Sequence, residues 1–124
     1  MIRRVLVVDD DTPVRELIRA ILVRDGMTVE EARDGEEALR KIRAGEFQAI
    51  VLDLMMPKVS GYQVLEALTA ERPSSRCVVI VSAAASSAID KADPTIVRAK
   101  LRKPFEIEEL SAAVRACVLE SSQQ

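Results

Sequence analysis

Two apolar runs in this chain end in aspartate: Val5–Val8 leads into Asp9 and Asp10, and Ala49–Leu52 leads into Asp53. Short runs with no polar interruption suit strands buried on both faces, the condition of a parallel sheet covered by helices. If the two strands are neighbours, their C-terminal ends bring three carboxylates to one rim of the sheet, where open α/β sheets bind their ligands. An isolated Lys103-Pro104 far downstream supplies an ammonium that can meet them there.

Strand and helix signals alternate five times without a break in composition. After a strand over 3–8, Thr12 and Pro13 read as N-cap and first helical residue, and Asp11 as a further capping carboxylate. Val14, Leu17, Ile18, Ile21 and Leu22 then keep helical spacing up to Gly26. A strand over Thr28–Ala32 leads to Asp34 and Glu37, a capping-box-like start for a helix through Ala44 that Gly45 closes. Phe47–Leu52 is the third strand, and a helix from about Gly61 to Glu71 turns Val64, Leu65 and Leu68 inward. Cys77–Val81 is the fourth strand. A fourth helix around Ser86–Asp90 has a thin apolar face and is cut short at Pro94. A brief strand, Lys100–Arg102, precedes a last helix from about Ile107 to Leu119 with Leu110, Val114, Cys117 and Val118 inward, and residues 121–124 form a frayed tail. Five such units predict one α/β domain over residues 1–120, a parallel sheet between two helical layers. The flavodoxin-like (βα)5 order 2-1-3-4-5 is an arrangement of this kind that sets strands 1 and 3 side by side.

Composition narrows the chemistry. The 124 residues suit a single domain that buries roughly two thirds of its unfolded surface. No apolar run approaches the ~20 residues of a membrane span, and no secretory apolar region follows Met1, so a cytoplasmic protein without membrane insertion is expected. With 18 basic and 20 acidic residues and few aromatics there is no positive stripe, so direct nucleic-acid binding is not expected. Histidine is absent, which excludes His-ligated metals, Ser/His/Asp and Cys/His triads, and a phosphohistidine carrier. Cys77 and Cys117 sit at apolar positions far apart in sequence and read as buried thiols rather than a disulfide or a zinc site.

Carboxylates, lysine and hydroxyls remain. Three clustered carboxylates repel one another, which raises at least one pKa unless a cation intervenes. With a divalent cation and Lys103 the cluster is formally neutral. An all-oxygen donor set suits Mg²⁺, which often shares its coordination with a phosphate. Asp53 could then attack phosphorus to give an acyl phosphate.

Val5–Asp10, Val51–Pro57 with Gly61 beyond it, Ile80–Ala83 and Lys103–Phe105 together resemble the receiver domain of two-component response regulators. The resemblance spans residues 3–119. It implies that Asp53 accepts a phosphoryl group from the phosphohistidine of a histidine kinase or a histidine phosphotransfer protein. It implies Mg²⁺ held by Asp10, Asp53 and the Met55 backbone carbonyl, with Asp9 acting largely through water. Lys103 would pair with the phosphoryl group, and Ser82 would hydrogen-bond to it together with backbone N–H groups near Met55 and Ala83. Such a protein is a switch with a downstream protein target, and it catalyses only its own phosphorylation and dephosphorylation. With no room for an output domain, a stand-alone regulator resembling those of chemotaxis is expected.

One position departs from the family pattern. Three residues before the lysine, where many receivers carry an aromatic that turns inward, stands Lys100. Two other readings compete. A haloacid-dehalogenase-type phosphatase also uses a strand-1 aspartate and a later lysine, but it needs a further acidic pair, and beyond Lys103 there are only Glu106, Glu108, Glu109 and Glu120. An adaptor using the receiver fold independently of phosphorylation would not need the five polar side chains of the site.

Overall fold

The computed structural model describes residues 3–56, 59–70, 77–83 and 96–122. Five strands, β1 (Arg4–Val8), β2 (Thr28–Ala32), β3 (Ala49–Leu52), β4 (Val78–Ser82) and β5 (Val97–Arg102), form one sheet in the order β2-β1-β3-β4-β5. Every pairing is parallel, and the β1–β3 register sets Val8 opposite Leu52. This is the flavodoxin-like order. The described helices are α1 (Thr12–Arg24), α2 (Gly35–Ala44), α3 (Gly61–Ala70) and α4 (Ile107–Ser122). The helix expected around Ser86–Asp90 lies outside the described residues.

The sheet faces follow from the alternation of side chains along each strand. Leu6, Val8, Ile50, Leu52 and Ile80 pack with Ala38 and Ile42 of α2 and Val64, Leu65 and Leu68 of α3. Val5, Val7, Val51, Val79 and Val81 pack on the other face with Ile18, Ile21 and Leu22 of α1 and Leu110, Val114 and Val118 of α4. Strands wet on neither face need no polar alternation, which is why the runs read as continuously apolar.

Several expectations shift. The N-cap of α1 is Asp11, whose carboxylate accepts the Val14 N–H at 3.3 Å, so Thr12 is the first helical residue rather than the cap. Asp34 caps α2 in the same way, accepting the Glu37 N–H at 2.8 Å. Leu17, which helical spacing would turn inward, is 48% exposed, while Arg15 is 8% exposed. The buried stripe of α1 runs through 15, 18, 21 and 22, because Arg15 finds polar partners beneath the helix start. β3 begins at Ala49 rather than Phe47, β5 begins at Val97 rather than Lys100, and α4 continues to Ser122.

The reading of Cys77 and Cys117 as separate thiols is overturned. They are joined in a disulfide, with Cα atoms 5.5 Å apart. The residue before β4 and the inward face of α4 are neighbours where the helix packs on the sheet, which a separation of 40 residues conceals.

Candidate functional site

The parallel ladder of β1 and β3 continues one residue past the end of β3, since the Asp53 N–H donates to the Val8 carbonyl at 3.0 Å. That bond levels Asp9 and Asp53 on the same rim. Carboxylate oxygens of Asp9, Asp10 and Asp53 all lie within 4.8 Å of one another. Asp9 and Asp53 are buried and Asp10 is exposed. Lys103, just past the end of β5, reaches across to both buried acids, with Nζ 2.8 Å from Asp9 Oδ2 and 3.4 Å from Asp53 Oδ2. The Lys103-Pro104 peptide is cis, and the Lys103 N–H donates to the Ser82 carbonyl at 3.1 Å.

The remaining oxygens of the two buried acids are held by their own loops. Asp9 Oδ1 accepts the Asp11 N–H at 2.9 Å, and Asp53 Oδ1 accepts the Met55 N–H at 3.1 Å. Asp10's carboxylate makes no hydrogen bond or ion pair with the described residues. Burial pushes the Asp9 carboxyl above its ordinary range, outweighing the hydrogen bonds from Lys103 and the Asp11 N–H; the charge of Asp53 adds a smaller push in the same direction. Burial alone would lower the Lys103 pKa, but the hydrogen bond and charge of Asp9, helped by Asp53, hold it above the usual lysine value. Repulsion among the acids is thus the lesser cause of the shift that the sequence led us to expect.

Gly61 at the start of α3 keeps this rim compact. A Cβ there would stand 2.0 Å from the Asp53 carbonyl oxygen, so only glycine lets the helix sit against the end of β3. A shallow cavity of about 410 Å³ opens beside the cluster, lined by Asp10, Leu54, Met55, Met56, Ser60 and Tyr62.

Asp9, Asp10, Asp53 and Lys103 therefore meet as expected. Ser82 is buried at the end of β4, and Met55 is exposed on the loop after Asp53. Lys100 is exposed on β5, opposite Ile80 in register. The sequence reading missed Arg15, whose Nη1 donates to the Asp9 carbonyl at 2.9 Å and whose Nε bonds to Glu31 at 3.0 Å. Its spacing from Ile18 and Leu22 was the available signal, since i, i+3, i+7 places it on the buried stripe.

The exposed Asp10 carboxylate beside two buried ones offers an all-oxygen set open to solvent on one side, which fits a hard divalent cation that keeps part of its water. The donor set excludes sites needing imidazole or thiolate.

Comparison with known proteins agrees with this geometry. The profile of the response regulator receiver domain matches residues 5–115. The response regulator MprA of Mycobacterium ulcerans is 41% identical over 115 residues, which make up 91% of this chain and 49% of that protein. The chain spans about half the length of the curated relatives it matches. Among solved structures, a CheY-like response regulator receiver domain protein from Methanospirillum hungatei aligns at a TM-score of 0.89 and 27% identity, covering 99% of this chain and 98% of that one. Response regulator protein TrrA from Thermotoga maritima, solved in complex with Mg(2+)-BeF, aligns at 0.83 and 28% identity, covering 94% of this chain and 99% of that one. An acidic trio and a lysine on the rim of a 2-1-3-4-5 sheet, within a profile match that spans nearly the whole chain, place this protein in the response regulator receiver domain family of two-component systems.

Proposed function

We propose that this chain is a phosphorylation-dependent receiver in which Asp53 takes a phosphoryl group from the phosphohistidine of a histidine kinase or histidine phosphotransfer protein. The observation that carries the reading is Lys103 Nζ, placed between the buried Asp9 and Asp53 carboxylates at 2.8 and 3.4 Å. An ammonium so placed steadies charge on whatever Asp53 becomes. A carboxylate oxygen of Asp53 attacks phosphorus, the P–N bond to the donor imidazole breaks, and the imidazole nitrogen keeps the electron pair and is protonated. The product is an acyl phosphate on Asp53. Asp10, Asp53 and the Met55 carbonyl would hold Mg²⁺, with Asp9 acting through water, and the cation would supply the positive charge that lets three acids and a phosphoryl group share the rim. Lys103 exchanges part of its contact with Asp9 and Asp53 for the phosphoryl oxygens. Ser82 and the N–H groups near Met55 and Ala83 donate to the same oxygens, and the change is read by a downstream protein.

Because this chain spans about half of its relatives, the kinase, the target and any output segment belong to this proposal. The phosphatase alternative finds no support. Glu106, Glu108 and Glu109 are exposed at or near the start of α4, and the carboxylates clustered among the described residues are Asp9, Asp10 and Asp53 alone. Incubation with a panel of autophosphorylated histidine kinases tests the reading: label should pass to this chain in the presence of Mg²⁺ and be retained by the kinases when EDTA is added. Absence of transfer from every kinase and every small phosphodonor would refute it.

A further inference from the structure

We propose that Arg15 is a positioning residue for the metal site, fixing from beneath the backbone that carries Asp10; this rests on the Mg²⁺-dependent function proposed above. Asp10 must point its carboxylate at a cation, yet that carboxylate is exposed and makes no hydrogen bond or ion pair with the described residues. With no partner for the carboxylate among the described residues, the direction of its Cα–Cβ bond is set by the peptide planes on either side of its Cα. The plane before it contains the Asp9 carbonyl, which accepts Arg15 Nη1 at 2.9 Å in a buried contact. Since a peptide is rigid and planar, holding that oxygen also holds the Asp10 nitrogen. The plane after it ends in the Asp11 N–H, held by Asp9 Oδ1 at 2.9 Å.

Arg15 is itself anchored. Its Nε bonds to Glu31 Oε1 at 3.0 Å, and Arg19 bonds to Glu31 Oε2 at 2.7 Å. The Glu31 carbonyl on β2 accepts Lys41 Nζ of α2. A path of polar contacts thus runs from α2 through β2 and α1 to the acidic loop. Only a planar guanidinium can serve the Asp9 carbonyl and Glu31 together, with Thr12 Oγ1 at the margin of reach, 3.5 Å away. A loop ordered before the cation arrives need not be ordered by it, so the arrangement favours binding without touching the metal.

Calorimetric titration of the full chain with Mg²⁺ alone tests this. Arg15→Met, which keeps the stem and removes the donors, should raise the Mg²⁺ dissociation constant about tenfold, the usual effect of losing an outer partner of a metal site. Arg15→Lys should recover part of that loss, a rescue that a purely packing role would not require of a cation. With acetyl phosphate, the half-saturating Mg²⁺ concentration of Arg15→Met should rise far more than the rate at saturating Mg²⁺ falls. A folded Arg15→Met, judged by circular dichroism, with wild-type Mg²⁺ affinity overturns the proposal. If Arg15→Met does not fold, Glu31→Gln decides: weaker Mg²⁺ binding supports the proposal, and unchanged binding overturns it. Failure of the wild type itself to bind Mg²⁺ would instead overturn the function proposal, and this one with it.

Discussion

Lys103 bridges two buried carboxylates, and its removal would leave Asp9 without its cation in a place water scarcely reaches. The consequence depends on pH. Asp9 has a folded pKa above its unfolded value of 3.8, so it costs stability at neutral pH, a cost that fades as pH falls through the folded value toward the unfolded one. Lys103 behaves oppositely: its contribution is full below 10.5 and is lost as pH rises through its raised folded value. Lys103→Met should therefore cost about 3 kcal/mol near neutral pH, the low end of the penalty for leaving one charge of a buried ion pair unmatched, since Lys103 itself is partly exposed. The loss should shrink in mild acid, where Asp9 takes up a proton and needs no cation. Urea melts in metal-free buffer at the two pH values check this; an equal loss at both would mean that Asp9 is not the group responsible. Asp9, Asp10, Asp53 and Lys103 could be picked out from sequence because strand ends announce them. Arg15 and Glu31 could not be paired, since the bond between them depends on β2 lying beside β1.

At the scale of elements, the capping residues and apolar stripes were legible because they depend on neighbours within a turn or two. Asp34 caps α2 as its spacing to Glu37 suggested, and Gly26 follows α1 with φ of +88°, the left-handed conformation glycine tolerates. The inward side of α1 is legible at Ile18, Ile21 and Leu22 but not at Leu17 or Arg15, because Leu17 is apolar and Arg15 is not, and only the tertiary contacts reverse that preference. Gly61 belongs to a sequence motif, but its reason is spatial: α3 starts against the backbone of Asp53 and Leu54. Gly61→Ala should cost about 2–3 kcal/mol by overpacking and shift the Asp53 backbone. Equal stability in denaturant melts would contradict that close approach. The Cys77–Cys117 bond ties the start of β4 to α4 across 40 residues. Under non-reducing conditions no thiol should alkylate, and Cys77→Ser should lose about 4 kcal/mol, the chain-entropy expectation for a loop of that size. Alkylation of both cysteines in the unreduced protein would contradict the pairing.

For the whole molecule, the parallel order 2-1-3-4-5 gathers residues from positions 9 to 103 onto one rim, so the site exists only in the folded state. Mg²⁺ should accordingly raise the melting temperature by mass action on the native state. Asp10→Ala should lose most of that rise. In metal-free buffer the variant should stay within about 0.5 kcal/mol of wild type or be more stable, because the carboxylate it removes is exposed and makes no hydrogen bond or ion pair with the described residues. A clear loss of metal-free stability would argue that Asp10 supports the fold rather than the cation. The central claim is that Asp53 is the phosphoacceptor. Intact-mass measurement after incubation with acetyl phosphate and Mg²⁺ tests it most directly. Wild type should gain a single phosphoryl group and Asp53→Asn none, whereas an Asp53→Asn protein labelled to the wild-type level would contradict the account.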